Sequence, residues 1–200
     1  MLTQKIGLMC GTFDPPHIGH LILAQTALVE LALDQVLFLP VGDPTHKTTY
    51  TSAEHRLNMT RLAIQDNLAF VLDSTDAMRP GPHYTATLLP LIQEKYPEST
   101  LWLLLGGDSL NSFPDWYRPD SIITQCRLAV LDRPKHQTDV TSSKMLNGAV
   151  FDKIDNLSGP SVDLSSTWLR ANFGNGSHHT RYLISSLVDE YIIKNKLYKE

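Results

Sequence analysis

Gly11-Thr12-Phe13-Asp14-Pro15-Pro16-His17-Ile18-Gly19-His20 lies between an apolar run, Ile6 to Cys10, and a segment from Leu21 in which apolar residues recur at helical spacing. It reads as strand, tight turn and helix start. Such a junction presents backbone N–H groups and the positive end of a helix dipole to the turn, so an anion placed there is stabilised before any side chain is counted. Gly11 allows close backbone approach, and Gly19 lets the helix start press against a ligand. His17 and His20, three residues apart, share one helix face, and both can donate to phosphate oxygens. In the plainer alternative Asp14 caps the helix, Pro15 and Pro16 shape its first turn and the histidines are incidental. That alternative suffices for a bare H-x-G-H but not for ten specified residues in this context.

The 200 residues, 42% hydrophobic and 19% charged, can bury one sizeable core, so a single domain over 1–200 is expected, with a helical part from about residue 165. A formal net charge of -4 argues against a nucleic-acid coat or a polybasic membrane binder. Small-molecule partners follow. Cys10 and Cys126 are too few and too far apart for a disulfide framework or a metal cluster, which fits a reducing cytoplasm and a chain that holds no metal by itself. No apolar run reaches membrane-spanning length, and neither a targeting segment nor an internal repeat is read.

Strands are expected at Ile6–Cys10, Gln35–Leu39, Ala69–Leu72, Leu101–Leu105 and Leu128–Leu131, with a late one within Ala149–Ile154. Between the first two, Leu21, Ala24, Leu28 and Leu31 form a helical apolar stripe. Val41 to Ser52 is a polar loop carrying Lys47, and Ser52-Ala53-Glu54-His55 opens a helix in which Arg56, Leu57, Met59, Leu62 and Ala63 take core and crevice spacing. Pro80-Gly81-Pro82 delays the next helix until Tyr84 and Thr85, after which Leu88, Leu89, Leu91 and Ile92 face inward. Gly106-Gly107-Asp108 follows the fourth strand, where a carboxylate suits a ribose hydroxyl pair or a helix cap. Trp116 and Tyr117 sit in a proline-bounded loop where a flat ring could stack. Arg133 ends the fifth strand. Ser165-Ser166-Thr167 open a helix with Arg170 one turn on, supplying hydroxyl, backbone and guanidinium donors together, unless the serines are only caps. A last helix spans Tyr182 to Tyr191 with Leu183, Leu187, Val188 and Tyr191 inward. Alternating strands and helices give an α/β fold with a doubly wound, mostly parallel sheet, and every candidate residue falls at a strand's carboxyl end, where such sheets bind ligands.

In order and spacing these motifs resemble the bacterial nicotinate-nucleotide adenylyltransferases of the H-x-G-H nucleotidyltransferase superfamily, over nearly the whole chain. Besides Gly11 to His20, the family's Pro-Pro-His-Lys matches Pro44 to Lys47, and its Gly-Pro-Ser-Tyr-Thr matches Gly81 to Thr85. Its Gly-x-Asp, Phe/Leu-Pro-x-Trp, Arg-Pro and Ser-Ser-Thr-x-x-Arg motifs match Gly106 to Asp108, Phe113 to Trp116, Arg133-Pro134 and Ser165 to Arg170. Thr45, His83, Thr87 and Ser185 depart from it, standing where the family has proline, serine, frequently aspartate, and proline. The resemblance implies a Rossmann-like nucleotidyltransferase fold and transfer of AMP from ATP to nicotinate mononucleotide, giving nicotinic acid adenine dinucleotide and pyrophosphate in NAD biosynthesis. The attack would be in line, without a covalent intermediate, with Mg²⁺ held mainly by the substrate phosphates. It implies His17, His20, Lys47 and Arg170 as catalytic residues. Gly11, Thr12, Phe13, Gly106, Asp108, Ser166 and Thr167 would bind ATP, and Tyr84, Thr85, Trp116 and Arg133 the pyridine nucleotide. At the Tyr84-Thr85 helix start, with no nearby anion and with a histidine at 83 able to carry positive charge, a carboxylate should be preferred to an amide. A homo-oligomer is compatible with the sequence. Phosphopantetheine adenylyltransferases and cytidylyltransferases share the H-x-G-H core without Gly81 to Thr85 and Trp116, and a non-catalytic nucleotide sensor is the alternative from another class.

Overall fold

The short apolar runs assemble into one sheet because each is flanked by helices that cover both of its faces. The computed structural model describes residues 3–42, 49–131, 152–173 and 178–199. Its strands are β1 (Lys5–Gly11), β2 (Gln35–Pro40), β3 (Phe70–Leu72), β4 (Thr100–Gly106), β5 (Arg127–Leu131) and β6 (Ile154–Leu157). They form a six-stranded sheet in the order β3-β2-β1-β4-β5-β6, and every pairing is parallel. That is a doubly wound order, in which the chain changes direction across the sheet between β1 and β4.

The period-two alternation of β1 separates two cores. Ile6 and Leu8 join Leu37, Leu103 and Leu128 on one face, under α4 (Thr85–Lys95) and α6 (Pro119–Gln125). Met9 joins Phe38 and Trp102 on the other, under α1 (Ile18–Glu30), α2 (Ala53–Ile64), α7 (Ser166–Phe173) and α8 (Ser186–Lys194). Two short helices, α3 (Thr75–Met78) and α5 (Gly107–Ser112), and two 3-10 turns, Phe113–Asp115 and His178–Thr180, complete the described elements. None of the described helices is long and apolar enough to cross a membrane.

Several expectations are corrected. Leu23, Ala24 and Ala27 are the buried face of α1, and Leu21, Leu28 and Leu31 flank it half-buried, so the packed stripe is rotated from the expected one. The late strand is Ile154–Leu157, because its pairing with β5, not an apolar run, defines it. The last helix begins at Ser186, with the Ser185 hydroxyl accepting from the Val188 N–H; Tyr182 lies outside it, exposed at φ 69°. Its buried residues are Val188 and Ile192, whereas Leu187 faces outward. In α4, Leu91 is likewise exposed. Ser52 caps α2 as read, accepting from the His55 N–H at 3.3 Å.

Beyond β3, the buried Asp73 accepts from Lys95 Nζ (2.6 Å) and the Thr75 N–H (2.8 Å), joining α3 to the end of α4. Burial alone would raise its carboxyl, but the hydrogen bonds from Lys95 and Thr75 prevail and hold it below the usual range. A depressed folded-state value stabilises above the unfolded value near pH 4, and that contribution is lost as pH falls through the folded one. Asp73→Asn should therefore lower Tm at pH 7, with the deficit shrinking below about pH 4. A deficit independent of pH in thermal melts would refute the ionic contribution.

Candidate active site

The turn after β1 is braced from inside. Phe13 has φ 53°, a left-handed backbone that costs a non-glycine residue roughly 1–2 kcal/mol. Its ring repays this by packing in the core, 5.8 Å from the Phe38 ring and edge-on to His20 at 5.1 Å. A Cβ on Gly11 would meet that ring at 3.1 Å, and one on Gly19 would meet the His17 ring at 3.1 Å. Both glycines thus make room for neighbouring rings of the motif, and both also line the cavity described below. Phe13 contributes its backbone to the turn, since its side chain is buried.

His17 occupies the N-cap position of α1, with extended φ and ψ, and its ring stacks on His20 with centroids 3.7 Å apart. The His17 N–H donates to His20 Nδ1 at 3.1 Å. An Nδ1 that accepts from a backbone N–H carries no proton, so the neutral ring holds its hydrogen on Nε2 and is a donor there. Ring stacking and this bond fix the donor's direction together.

Arg56 of α2 is a fully buried cation. It donates to the carbonyls of Thr12 (3.2 Å), Val41 and Gly42 (2.7 Å), clamping the turn after β1 to the end of β2. Its position three, four and seven residues before Met59, Thr60 and Ala63 was the available signal, a charge set at core spacing. Asp14 is likewise a buried acceptor, and the helix cap read for it belongs to His17.

These loops open on one cavity of about 390 Å³ at the carboxyl ends of β1 and β4, in the size range of small-ligand sites. Gly11, Thr12, Phe13, His17 and His20 line it from the first turn. Gly106 and Asp108 line it from the start of α5, where Gly106 holds the cap position and Asp108, exposed, lies in the first turn. Ser166, Thr167 and Arg170 line it from α7, and Thr85 and Trp116 complete it. Tyr84 does not reach its lining; it holds the cap position of α4, and its ring stacks on Tyr117 at 4.4 Å. Lys47 and Arg133 lie outside the described residues.

The donors on α7 are already organised. Ser165 caps the first turn, accepting from the Trp168 N–H at 3.2 Å, while the Ser166 hydroxyl donates to the Pro15 carbonyl at 2.9 Å. Ser166 can therefore serve an anion through its first-turn amide, which has no partner within the helix. Arg170 donates to the Asp14 carbonyl (2.7 Å) and Thr167 Oγ1 (3.1 Å), and lies over the Tyr50 ring at 4.2 Å.

At the Thr85 side the expected absence of an anion is overturned. Asp76 of α3, buried, lines the same cavity. It is met by Arg79 Nε at 2.6 Å and His83 Nδ1 at 3.1 Å, and Arg79 continues to the Tyr84 carbonyl and Thr87 Oγ1. A four-residue helix carries no legible period, so the sequence did not place this carboxylate. Cys10 also lines the cavity, but burial pushes its thiol far up, so it is no nucleophile.

A parallel sheet in this order, with a paired-histidine turn and a helix that brings Ser166, Thr167 and Arg170 to the same cavity, defines a nucleotide-binding α/β protein of the nucleotidyltransferase type. The Cytidylyltransferase-like family profile matches residues 8–172. Among relatives, the nicotinate-nucleotide adenylyltransferase of Bacillus subtilis (strain 168) is 35% identical over 198 residues, covering 98% of this chain and 99% of its own. A Dehalococcoides mccartyi (strain BAV1) protein named "Probable nicotinate-nucleotide adenylyltransferase" is 39% identical over 204 residues, with 99% and 98% covered. In fold, the chain is similar to Plasmodium falciparum nicotinic acid mononucleotide adenylyltransferase complexed with NaAD (TM-score 0.76, 19% identity, 98% and 97% covered). The chain belongs to the nicotinate-nucleotide adenylyltransferase family, within the cytidylyltransferase-like group.

Proposed function

We propose that this chain transfers AMP from ATP to nicotinate mononucleotide, as the names of its relatives indicate for them. The observation that carries the reading is the single cavity flanked by His17, His20, Thr167 and Arg170 at one side and by Thr85 and Trp116 at another. A triphosphate and a flat acceptor ring can meet in it. An oxygen of the mononucleotide phosphate attacks the α-phosphorus, the bond from that phosphorus to the bridging oxygen breaks, and pyrophosphate leaves with the electron pair. The attacking phosphate is already ionised at neutral pH, so no general base is required; alignment and charge stabilisation remain. His20 Nε2 donates to the α-phosphate oxygens, and Arg170 with the amides of Ser166 and Thr167 holds the leaving pyrophosphate. Lys47 bridges the reacting phosphates and Asp108 takes the ATP ribose. Trp116 and Arg133 enclose the pyridine nucleotide, with Thr85 at its carboxylate.

Among the described residues no cluster of three or more His, Cys, Asp or Glu could hold a metal. Of the carboxylates lining the cavity, Asp14 is committed to hydrogen bonds and Asp76 to Arg79 and His83, leaving Asp108. That donor set fits Mg²⁺ bound chiefly by phosphate oxygens and water, where it would neutralise charge on the triphosphate. The reaction is placed in the cytoplasm, with ATP and nicotinate mononucleotide as partners and no part for nucleic acid.

Pyrophosphate release with a panel of acceptors tests the assignment. Nicotinate mononucleotide should exceed nicotinamide mononucleotide at least tenfold in kcat/KM, since about 1.4 kcal/mol of differential interaction suffices. Because Asp76 stands in the same cavity, that preference requires its carboxylate to be engaged by the Arg79 guanidinium and by its contact with His83 Nδ1. His83→Ser should cut the acid preference by about threefold or more. Equal use of acid and amide by the wild type would refute the substrate, and unchanged selectivity in the variant would refute the role of His83.

A further inference from the structure

A side chain of the histidine turn that is held by several hydrogen bonds takes no part in the reaction described above. Asp14 is 2% exposed. Its Oδ2 accepts from the Tyr50 N–H (2.8 Å) and the Thr51 N–H (3.4 Å), and its Oδ1 accepts from the Thr51 hydroxyl (2.8 Å) and the Tyr198 hydroxyl (2.6 Å). Its main-chain carbonyl is the one that receives Arg170. One residue therefore anchors both the segment that leads into α2 and the guanidinium at the cavity.

Tyr198 reaches this carboxylate from beyond α8. Its ring stacks on Phe173, the last residue of α7, with centroids 5.7 Å apart, and its hydroxyl lies 3.8 Å from Met59 Sδ on α2. Its backbone is left-handed at φ 60°, a conformation that a tyrosine adopts at a cost. Burial first, and then the charge of Asp14, drive the phenol far above its usual value, so it remains a donor to the carboxylate. A phenol bound to an ionised carboxylate makes a short, charge-assisted bond of the stronger kind.

We propose that Tyr198 is a positioning residue for the triphosphate side of the cavity: through Asp14 it fixes Tyr50, Thr51 and the carbonyl that orients Arg170, while through Phe173 it holds the far end of the same helix. The proposal rests on the reading of that side as the ATP site. Tyr50 transmits the effect twice, because its amide is bound by Asp14 and its ring lies under Arg170. Among the described residues, the Thr85 and Trp116 side shares none of these contacts.

Tyr198→Phe keeps the ring stack and removes only the hydroxyl. Steady-state kinetics should show KM for ATP raised about fivefold and KM for nicotinate mononucleotide within twofold of wild type. A merely structural role would lower Tm and the active fraction, hence kcat, without moving one KM alone; that result, or an unchanged KM for ATP, would overturn the proposal. Should Tyr198→Phe fold poorly, Thr51→Val breaks the other bond to Asp14 Oδ1, and the same selective rise is expected. Amide hydrogen exchange supplies a readout without turnover. In Tyr198→Phe the Tyr50 and Thr51 amides should exchange at least tenfold faster, with amides in α4 unchanged, and equal rates at 50–51 would refute the positioning. A wild type that makes no dinucleotide from ATP would sink the proposed reaction, whereas the exchange result would still decide what Tyr198 holds in place.

Discussion

Replacing His20 by alanine should lower kcat by about a hundredfold or more while changing KM for ATP little. The size is that of removing one pre-aimed donor from a developing oxyanion, about 2.7–4 kcal/mol. The separation of kcat from KM follows from when the donor acts, since charge on the α-phosphate oxygens is redistributed as the bond to pyrophosphate stretches. What makes His20 such a donor is its fixation. Nδ1 accepts the His17 amide at 3.1 Å, one face of the ring stacks on His17 at 3.7 Å, and Phe13 meets it edge-on at 5.1 Å. A donor held from three directions reorganises little during the reaction. Single-turnover rates at saturating ATP give the cleanest measurement, because they exclude product release. A near-normal rate in a folded His20→Ala protein would remove the residue from the mechanism.

His17 is not the equivalent experiment. It is 3% exposed and holds the N-cap position of α1, so its removal confounds helix stability with binding. The pair illustrates what a motif in a sequence specifies. Spacing puts both histidines at the start of one helix, but which ring nitrogen takes the His17 amide is visible only in coordinates.

The same division runs through the rest of the chain. Strands β1, β2, β4 and β5 were legible to within one residue at each end because each is a continuous apolar run buried on both faces. β6 was misplaced because Ile154-Asp155-Asn156-Leu157 is an edge strand whose middle is polar; Asp155 accepts from Arg127 and from Trp102 Nε1 across the sheet. The four residues of α3 are too few for periodicity to register. Most of the candidate residues that the structure gathers around one cavity sit at a strand end or a helix start, which the sequence pattern does show, whereas Arg170 and Trp116 reach it from the last turn of α7 and from a loop. The bracing roles of Asp14 and Arg56, and Asp76 and Tyr198 altogether, escaped because each is defined by partners brought together in folding. Tyr198 and Asp14 are 184 positions apart, and Arg56 is satisfied by main-chain carbonyls that leave no mark in any sequence.

Arg170→Lys should reduce kcat/KM for ATP by about 30-fold, near 2 kcal/mol, the scale of a lost hydrogen bond to a charged group. A lysine keeps the charge, so the argument rests on shape. The guanidinium donates through Nη1 to the Asp14 carbonyl at 2.7 Å and through Nη2 to Thr167 Oγ1 at 3.1 Å, while its face lies 4.2 Å from the centre of the Tyr50 ring. Those contacts use one edge and one face of a planar fork. In the proposed reaction Nε–H and a second hydrogen on each Nη would serve phosphate oxygens in a fixed plane. An ammonium with three rotatable donors cannot hold the carbonyl, cover the ring and span two phosphates together. Helix capping is not at stake in this substitution, because Ser165 caps α7 and Ser166 ties its start to Pro15. Thermal stability should therefore move little compared with the kinetic loss, and KM for nicotinate mononucleotide should stay close to wild type. Wild-type kinetics in Arg170→Lys would leave Arg170 as a brace between α7 and the histidine turn, with the pyrophosphate stabilised by the helix amides alone.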